Sequence, residues 1–480
     1  MRSSDDLRAF ASAASEVYGL VSGDLRTSGD PRTSGDPRTA VRGRVVLSPT
    51  RKRRLEAGHP WVFRTEVLRT EGEVAPGDVV DVVNHQGVFL ARGFVHPASQ
   101  IFVRVLTYDP AERIDADFFR RRIEAARRLR ERFLDDPAFG RMVFGEADFL
   151  PGLIVDRFGD VLVVQMLSYG MDVRRDWIRE ALVAAFSPRA IVLRNDVPVR
   201  EKEGLPQEVG LLYGEAPEAV EVREHGLVFR VDVFRGQKTG YFYDQRENRA
   251  ALKPLIKGWG PDGAAGAEVL DCFSHTGAFA VHAAHYGARR VLAVDASEEA
   301  IALARENAER NGLLDRIEFR VGNCFDVLRE LEDSGARFDV VILDPPAFAK
   351  SRQALEGALR GYKEINLRAM RLLREGGFLV TASCSAFVDR ERFLGVISEA
   401  AFDSRKILRR IAFRTAAADH PALLAAPEED YLKFGIFEVR SRGWRPSRGK
   451  RPVGHRREER IGTGAVRARD VEEGEGGGSE

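Results

Sequence analysis

Cysteine is scarce in this chain. Cys272, Cys324 and Cys384 are the three in 480 residues, each isolated, and no C-x-x-C pair occurs. That excludes a zinc ribbon and a disulfide framework, so no metal site is expected. Net charge is nearly absent too: 74 Lys+Arg against 73 Asp+Glu leave +1. A globally cationic nucleic-acid binder is thereby ruled out, and any basic surface must be local. The N-terminus lacks an apolar signal core and no run of about 18 apolar residues appears, so a soluble cytoplasmic protein off the membrane is the expectation. What is present is an ordinary globular composition, 44% hydrophobic and 31% charged, at a length that suggests about three domains.

Residues 1–40 carry RTSGDPRTSGDP at 26–37. Gly, Pro, Ser and Asp at that density bury too little surface to offset chain entropy, which predicts a disordered leader. From 41 to 110, short β-type runs such as Val79-Val80-Asp81-Val82-Val83 alternate with Gly and Pro, the pattern of a small β-barrel. Residues 111–220 read as a central mixed α/β domain. It has a helix at 118–133, a hairpin turning at Gly159, a helix at about 172–186 and a strand at 190–194. From 221 to 441, strand signals at 228–233, 267–271, 290–295, 316–321, 339–344 and 377–381 alternate with helical stretches. That predicts α/β architecture with a doubly wound, parallel, Rossmann-like sheet. Residues 442–480 are first basic, then rich in Gly and Glu, a disordered tail in pattern.

The clearest local signal is Val269-Leu270-Asp271-Cys272-Phe273-Ser274-His275-Thr276-Gly277, an apolar strand entering a small-residue turn before a helix. Open α/β sheets bind ligands beyond the carboxyl ends of their strands. Asp295 ends the next strand, about 20 residues on, where an acid holds a ribose. A dinucleotide would need G-x-G-x-x-G for its pyrophosphate; this turn offers Gly277 alone. A cofactor with a ribose, an adenine and no pyrophosphate fits better, which points to S-adenosylmethionine (SAM). Asp271, Phe273, Ser274, Gly277 and Asp295 are the candidate contacts, with Asn323 placed for the adenine amine.

The fourth strand ends Asp344-Pro345-Pro346-Ala347-Phe348. The prolines remove two backbone donors and stiffen a loop that presents the carboxylate at the rim. Phe348 is a candidate platform for an extruded base. The fifth strand runs into Ser383-Cys384-Ser385 at the same sheet edge. A pyrimidine C5 is a poor nucleophile. A thiolate added at C6 makes C5 an enamine carbon able to accept a methyl, provided the site favours the thiolate. Asp344 would support N3 and N4 of a cytosine. Methylation of an exocyclic amine needs no thiol, so Cys384 separates the two chemistries.

With these residues assembled, the chain resembles the bacterial 23S rRNA (cytosine-C5) methyltransferase I family from about 41 to 440. The blocks that carry the likeness include Gly58-His59-Pro60-Trp61-Val62-Phe63, Lys238-Thr239-Gly240-Tyr241-Phe242-Tyr243-Asp244-Gln245-Arg246, Cys272-Phe273-Ser274, Asp344-Pro345-Pro346, Ser383-Cys384-Ser385 and Ala418-Asp419-His420-Pro421. The resemblance implies an N-terminal PUA barrel, a small central domain and a class I methyltransferase domain, with SAM as cofactor and 23S rRNA cytosine as substrate in rRNA processing. It implies that 238–246 caps the cofactor pocket, with Gln245 and Arg246 touching SAM or ordering its loop; an ordinary helix-start ion pair is the other reading of Arg246. The chain departs from the family at Ala347, where Lys is common, and at Asn323, where Asp is.

The run Arg51-Lys52-Arg53-Arg54 beside His59-Pro60-Trp61 sets charge next to an aromatic, the mix that binds flexible RNA. Arg53 and Trp61 are the candidates there, and Pro345, Pro346, Phe348 and His420 at the base pocket. For His420 a structural role is an equal reading. An exocyclic-amine or guanine methyltransferase and a non-catalytic RNA-binding assembly factor stay open, as does the choice between monomer and homodimer.

Overall fold

The computed structural model describes residues 36–50, 53–260, 262–349 and 351–443. Most of the expected leader and nearly all of the tail lie outside the described residues, as do Arg51, Lys52 and Lys350.

The first unit is a six-stranded sheet of β1 (Val41–Leu47), β2 (Trp61–Phe63), β3 (Val67–Glu71), β4 (Val79–Val83), β5 (Phe89–Val95) and β6 (Ile101–Thr107), ordered β2-β6-β5-β4-β1-β3. Its β-branched residues fill one interior of Val45, Leu47, Val62, Val80, Val82, Val95 and Val103.

The second unit opens with the helix Ala116–Phe133, which starts where the Asp115 side chain accepts from the Phe118 N–H (3.0 Å), a normal N-cap. Phe118, Phe119, Ile123 and Ala126 form its buried face. The strands are β7 (Phe139–Phe144), β8 (Leu153–Phe158), β9 (Val161–Met166), β10 (Ala190–Arg194) and β11 (Val209–Gly214), ordered β11-β10-β9-β8-β7. Strands β8 and β9 are the hairpin turning at Gly159. The helix Arg175–Phe186 crosses from β9 to its parallel neighbour β10.

The strand expected at 228–233 does not join the parallel sheet. It is β13 (Leu227–Asp232), paired antiparallel with β12 (Ala219–Glu224) in a separate hairpin, and a boundary between 220 and 221 would cut that hairpin. The alternating burial along both strands is the physical reason. Interior parallel strands are continuous apolar runs, whereas alternation marks a hairpin with one wet face.

The third unit holds β14 (Glu268–Cys272), β15 (Arg290–Asp295), β16 (Ile317–Val321), β17 (Phe338–Leu343), β18 (Leu373–Ser383), β19 (Lys406–Arg414) and β20 (Lys433–Ser441), ordered β16-β15-β14-β17-β18-β20-β19. The first five strands in that order are parallel; β20 is antiparallel to both neighbours. Strands β14 and β17 are adjacent although far apart in sequence, so the winding reverses between them. A crevice opens there, at the carboxyl ends.

Candidate active site

A cavity of about 500 Å³ occupies that crevice, lined by residues from the segment before β14 and from the ends of β14, β15, β16, β17 and β18. This is ligand-sized space.

The β14 turn is strained on one side. Phe273 (φ 64°), His275 (φ 50°) and Gly277 (φ 81°) all lie in the left-handed region, which a bulky residue enters only when its surroundings enforce it. Ser274 donates to Asp271 Oδ2 (2.6 Å) and the Ser274 N–H to Val294 O (3.0 Å). A Cβ on Gly277 would lie 2.8 Å from the Ala304 Cβ. Phe273 and Ser274 face the cavity, whereas Asp271 and Gly277 do not line it. Both support the turn from behind the lining residues. Burial raises the Asp271 carboxyl to about 7, against the Ser274 hydrogen bond.

Asp295 lines the cavity. Its oxygens accept from the His275 N–H and the Ser297 N–H, both at 2.9 Å, so its orientation is fixed. Asn323 also lines it, but its Oδ1 caps the helix Cys324–Asp333 by accepting from the Phe325 N–H (2.9 Å). The amide oxygen expected to meet an adenine amine is therefore committed locally. Phe348 packs against Phe273, Phe325 and Tyr362 with ring centroids 6.3, 5.8 and 4.7 Å away. It belongs to an aromatic wall rather than standing alone.

The same cavity is lined by Asp344, Pro345, Pro346 and Cys384. Asp344 Oδ1 accepts from Gln245 Nε2 (2.9 Å), and Gln245 Oε1 accepts from Asn248 Nδ2 (2.7 Å). Burial, then the neighbouring Asp244, pushes the Asp344 carboxyl up to about 7. Cys384 is half-buried, and its thiol donates to Pro345 O (3.9 Å). Burial and then Asp344 push that thiol up to about 11. Burial and Asp344 favour the thiol, so the condition that the site favour a thiolate must be met by other groups. Its flanking serines are pinned from one side: Ser383 Oγ donates to the Tyr362 hydroxyl (2.9 Å), which is 3.0 Å from Ser385 Oγ.

Four expected contacts sit elsewhere. Arg246 is buried, donates to Phe139 O (2.6 Å) and lies 3.7 Å from Glu224 and 3.8 Å from Asp419. It ties the central domain to the catalytic domain, which is the ion-pair reading, and is absent from the cavity lining. His420 is buried with Nδ1 2.7 Å from Asp419 Oδ1 and its ring over Phe144, outside this cavity. Trp61 is half-buried, and its Nε1 donates to Glu146 (2.8 Å), which ties the first unit to the second. Arg53 is exposed in the turn after β1.

Among the other lining residues, Lys238 and Asp244 were named in the sequence only as part of the 238–246 block, and Arg249 and Tyr431 were not named at all. Arg249 forms a fully buried pair with Glu224 (2.6 and 2.7 Å) and donates to Phe242 O (3.0 Å), bracing the 238–246 segment. Asp244 Oδ2 accepts from the Tyr431 hydroxyl (2.6 Å) while its buried Oδ1 has no partner. Burial opposes its charge, but His420, Lys238 and Tyr431 keep its carboxyl below the usual range. The signal was available in principle, because Asp244 stands between Tyr243 and Gln245 in a block already singled out. Among the described residues no group of three His, Cys, Asp or Glu is placed to hold a metal, and no helix is long and apolar enough to cross a membrane.

Comparison with known proteins adds three findings. A family model described as a PUA-like domain matches residues 45–108, and one described as an S-adenosylmethionine-dependent methyltransferase matches residues 181–411. The ribosomal RNA large subunit methyltransferase I of Shigella boydii serotype 4 and that of Escherichia coli O157:H7 are each 43% identical over 394 residues, covering 81% of this chain and 98% of theirs. A SAM-dependent methyltransferase of Streptococcus mutans superposes with a TM-score of 0.70, and a methyltransferase complexed with SAH with 0.71; each is 21% identical, and the match covers 82% of this chain and 100% of theirs. At that identity they share its fold.

Proposed function

The chain belongs to the ribosomal RNA large subunit methyltransferase I family, and on that premise we propose that it forms 5-methylcytosine in 23S rRNA in the cytoplasm, through a transient bond between Cys384 and C6 of the base. The protein is a SAM-dependent methyltransferase. The observation that carries the finer reading is the shared lining: Cys384, whose thiol reaches the Pro345 carbonyl, and Asp344 line the same cavity as Asp295 and Phe273.

The residues present suit SAM. Asp295 offers two oriented oxygens to ribose hydroxyls, and the aromatic wall of Phe273, Phe325 and Phe348 offers flat apolar surface to an adenine. The orphaned Asp244 Oδ1 supplies an uncompensated acceptor for a ligand rich in N–H donors. When bound, SAM supplies an electrophilic methyl group.

Asp344 and Cys384 divide the remaining work. A carboxyl near 7 is part neutral at neutral pH. In its neutral form it donates to cytosine N3 and accepts from the N4 amine. A proton on Asp344 also removes a negative charge that holds the Cys384 thiol up, so base recognition and thiolate formation reinforce each other. The thiolate adds at C6, C5 takes the methyl, and loss of the C5 proton expels the sulfur. The PUA-like unit adds RNA contacts that a small catalytic pocket lacks.

The test is incubation with SAM and 5-azacytidine-substituted rRNA fragments. A denaturation-resistant protein–RNA adduct that maps to Cys384, and is lost in Cys384→Ala, is the expected result. Methylation retained by Cys384→Ala would move the reaction to an exocyclic amine and overturn this reading.

A further inference from the structure

Cys384 must ionise to act, yet burial and the Asp344 and Asp244 carboxylates all oppose that. Something nearby has to favour the anion. Two cations face the thiol. Lys238 is exposed, with Nζ 5.2 Å above the Phe242 ring, so water screens it. Lys433 is 5% exposed.

Lys433 opens β20 directly opposite Ser383 at the end of β18. Its Nζ donates to Ser385 O (2.8 Å) and to Tyr431 O (2.6 Å). Two of its three N–H groups therefore go to neutral carbonyls, one of them on the residue that follows Cys384. It forms no ion pair among the described residues. A buried ammonium with no counter-ion is costly, and such groups are ordinarily paired.

We propose that Lys433 is a positioning residue whose ammonium is the counter-charge for the Cys384 thiolate. The inference rests on the reading of Cys384 as nucleophile. The electrostatics agree: burial lowers Lys433 to about 8, and an ionised Cys384 is the strongest influence in the opposite direction, ahead of Asp430 and Asp389. The hydroxyls of Tyr362 and Tyr431 also feel the Cys384 charge but stay protonated, held well above neutral pH chiefly by burial. Lys433 is thus the buried group near the thiol able to carry positive charge at neutral pH.

The experiment is iodoacetamide alkylation of Cys384 across pH 6–10 in the full chain without SAM or RNA, read by peptide mass spectrometry. Cys272 and Cys324 are 0% and 2% exposed, which sets their reaction apart from that of Cys384. In Lys433→Met alkylation at pH 8 should slow about tenfold, with the profile displaced to higher pH, and Lys433→Arg should recover most of the rate. An unchanged profile in a Lys433→Met protein that still binds SAM overturns the proposal. Should Lys433→Met fail to fold, the reciprocal measurement decides. The Lys433 amine, labelled by reductive 13C-methylation and followed by NMR, should titrate at lower pH in Cys384→Ala than in the native chain; identical titrations overturn the proposal. Methylation surviving in Cys384→Ala would instead remove the nucleophile reading while leaving the alkylation result standing.

Discussion

The two edges of the cavity are built on opposite plans. Along β14, β15 and β16, the polar side chains that line the cavity are tied down by nearby backbone or side-chain groups. Asp295 holds two N–H groups, Asn323 caps a helix and Ser274 closes on Asp271. Along β17, β18 and β20, the groups are left out of balance. Asp344 and Cys384 are pushed toward their neutral forms, Lys433 is a cation among carbonyls, and Asp244 of the capping 238–246 segment keeps an unpaired oxygen. The first edge is pre-organised for a ligand of fixed shape. The second holds charge in suspense until a base arrives, a pattern associated with chemistry rather than with stability.

Replacing Cys384 with Ala should break the comparison most severely. Methylation of an rRNA fragment falls by roughly a thousandfold or more, while calorimetric SAM affinity is unchanged because the first edge is untouched. The next effect concerns pH. The Asp344 carboxyl lies near 7 when folded, above its unfolded value, so the folded state holds more protons between about pH 4 and 7. The Asp344 contribution to stability should therefore be most favourable below that window, fall as pH rises through it and level off above 7. Asp344→Asn should remove its share, up to about 4 kcal/mol, leaving the contribution of Asp271, which has the same sign. Denaturant melts at pH 4.5 and 7.5 measure this. Gly277→Ala strikes the first edge. A side chain at φ 81°, 2.8 Å from Ala304, should cost about 1–3 kcal/mol of stability by thermal melting and weaken SAM binding without altering Cys384 alkylation. Smallest is Asp295→Asn, which keeps an acceptor but loses charge. SAM affinity should drop roughly tenfold, again with the thiol profile unaffected.

Both edges were legible in the sequence where a strand end carries its own chemistry. The β14 turn, Asp295, Asp344-Pro345-Pro346 and Cys384 are contiguous local signals, and the class I fold follows from the same strands. Legibility failed where the answer depended on what packs against a residue. Gln245 and Arg246 are neighbours in one short helical turn, and one faces the cavity while the other faces the central domain; no spacing rule separates them. Trp61 and His420 have the composition of ligand contacts, yet Glu146 comes from distant sequence to occupy the first, and the second is held by its own neighbour Asp419 against the ring of Phe144. Lys433 offered a faint cue, a charge heading a strand that is buried over seven consecutive residues, but its relation to Cys384 exists only through β18–β20 pairing.

The Tyr362 hydroxyl touches the serines on both sides of Cys384, and this leaves the sulfur little to move but its own side-chain torsion. On the proposed reading of Cys384, a nucleophile with so short a leash cannot chase its target. The nucleotide must make the journey, swinging clear of its stacked neighbours to arrive within bonding range. Substrates are then sorted by how readily a cytosine leaves its helix, which makes the local softness of the RNA as much a determinant of modification as the letters around it.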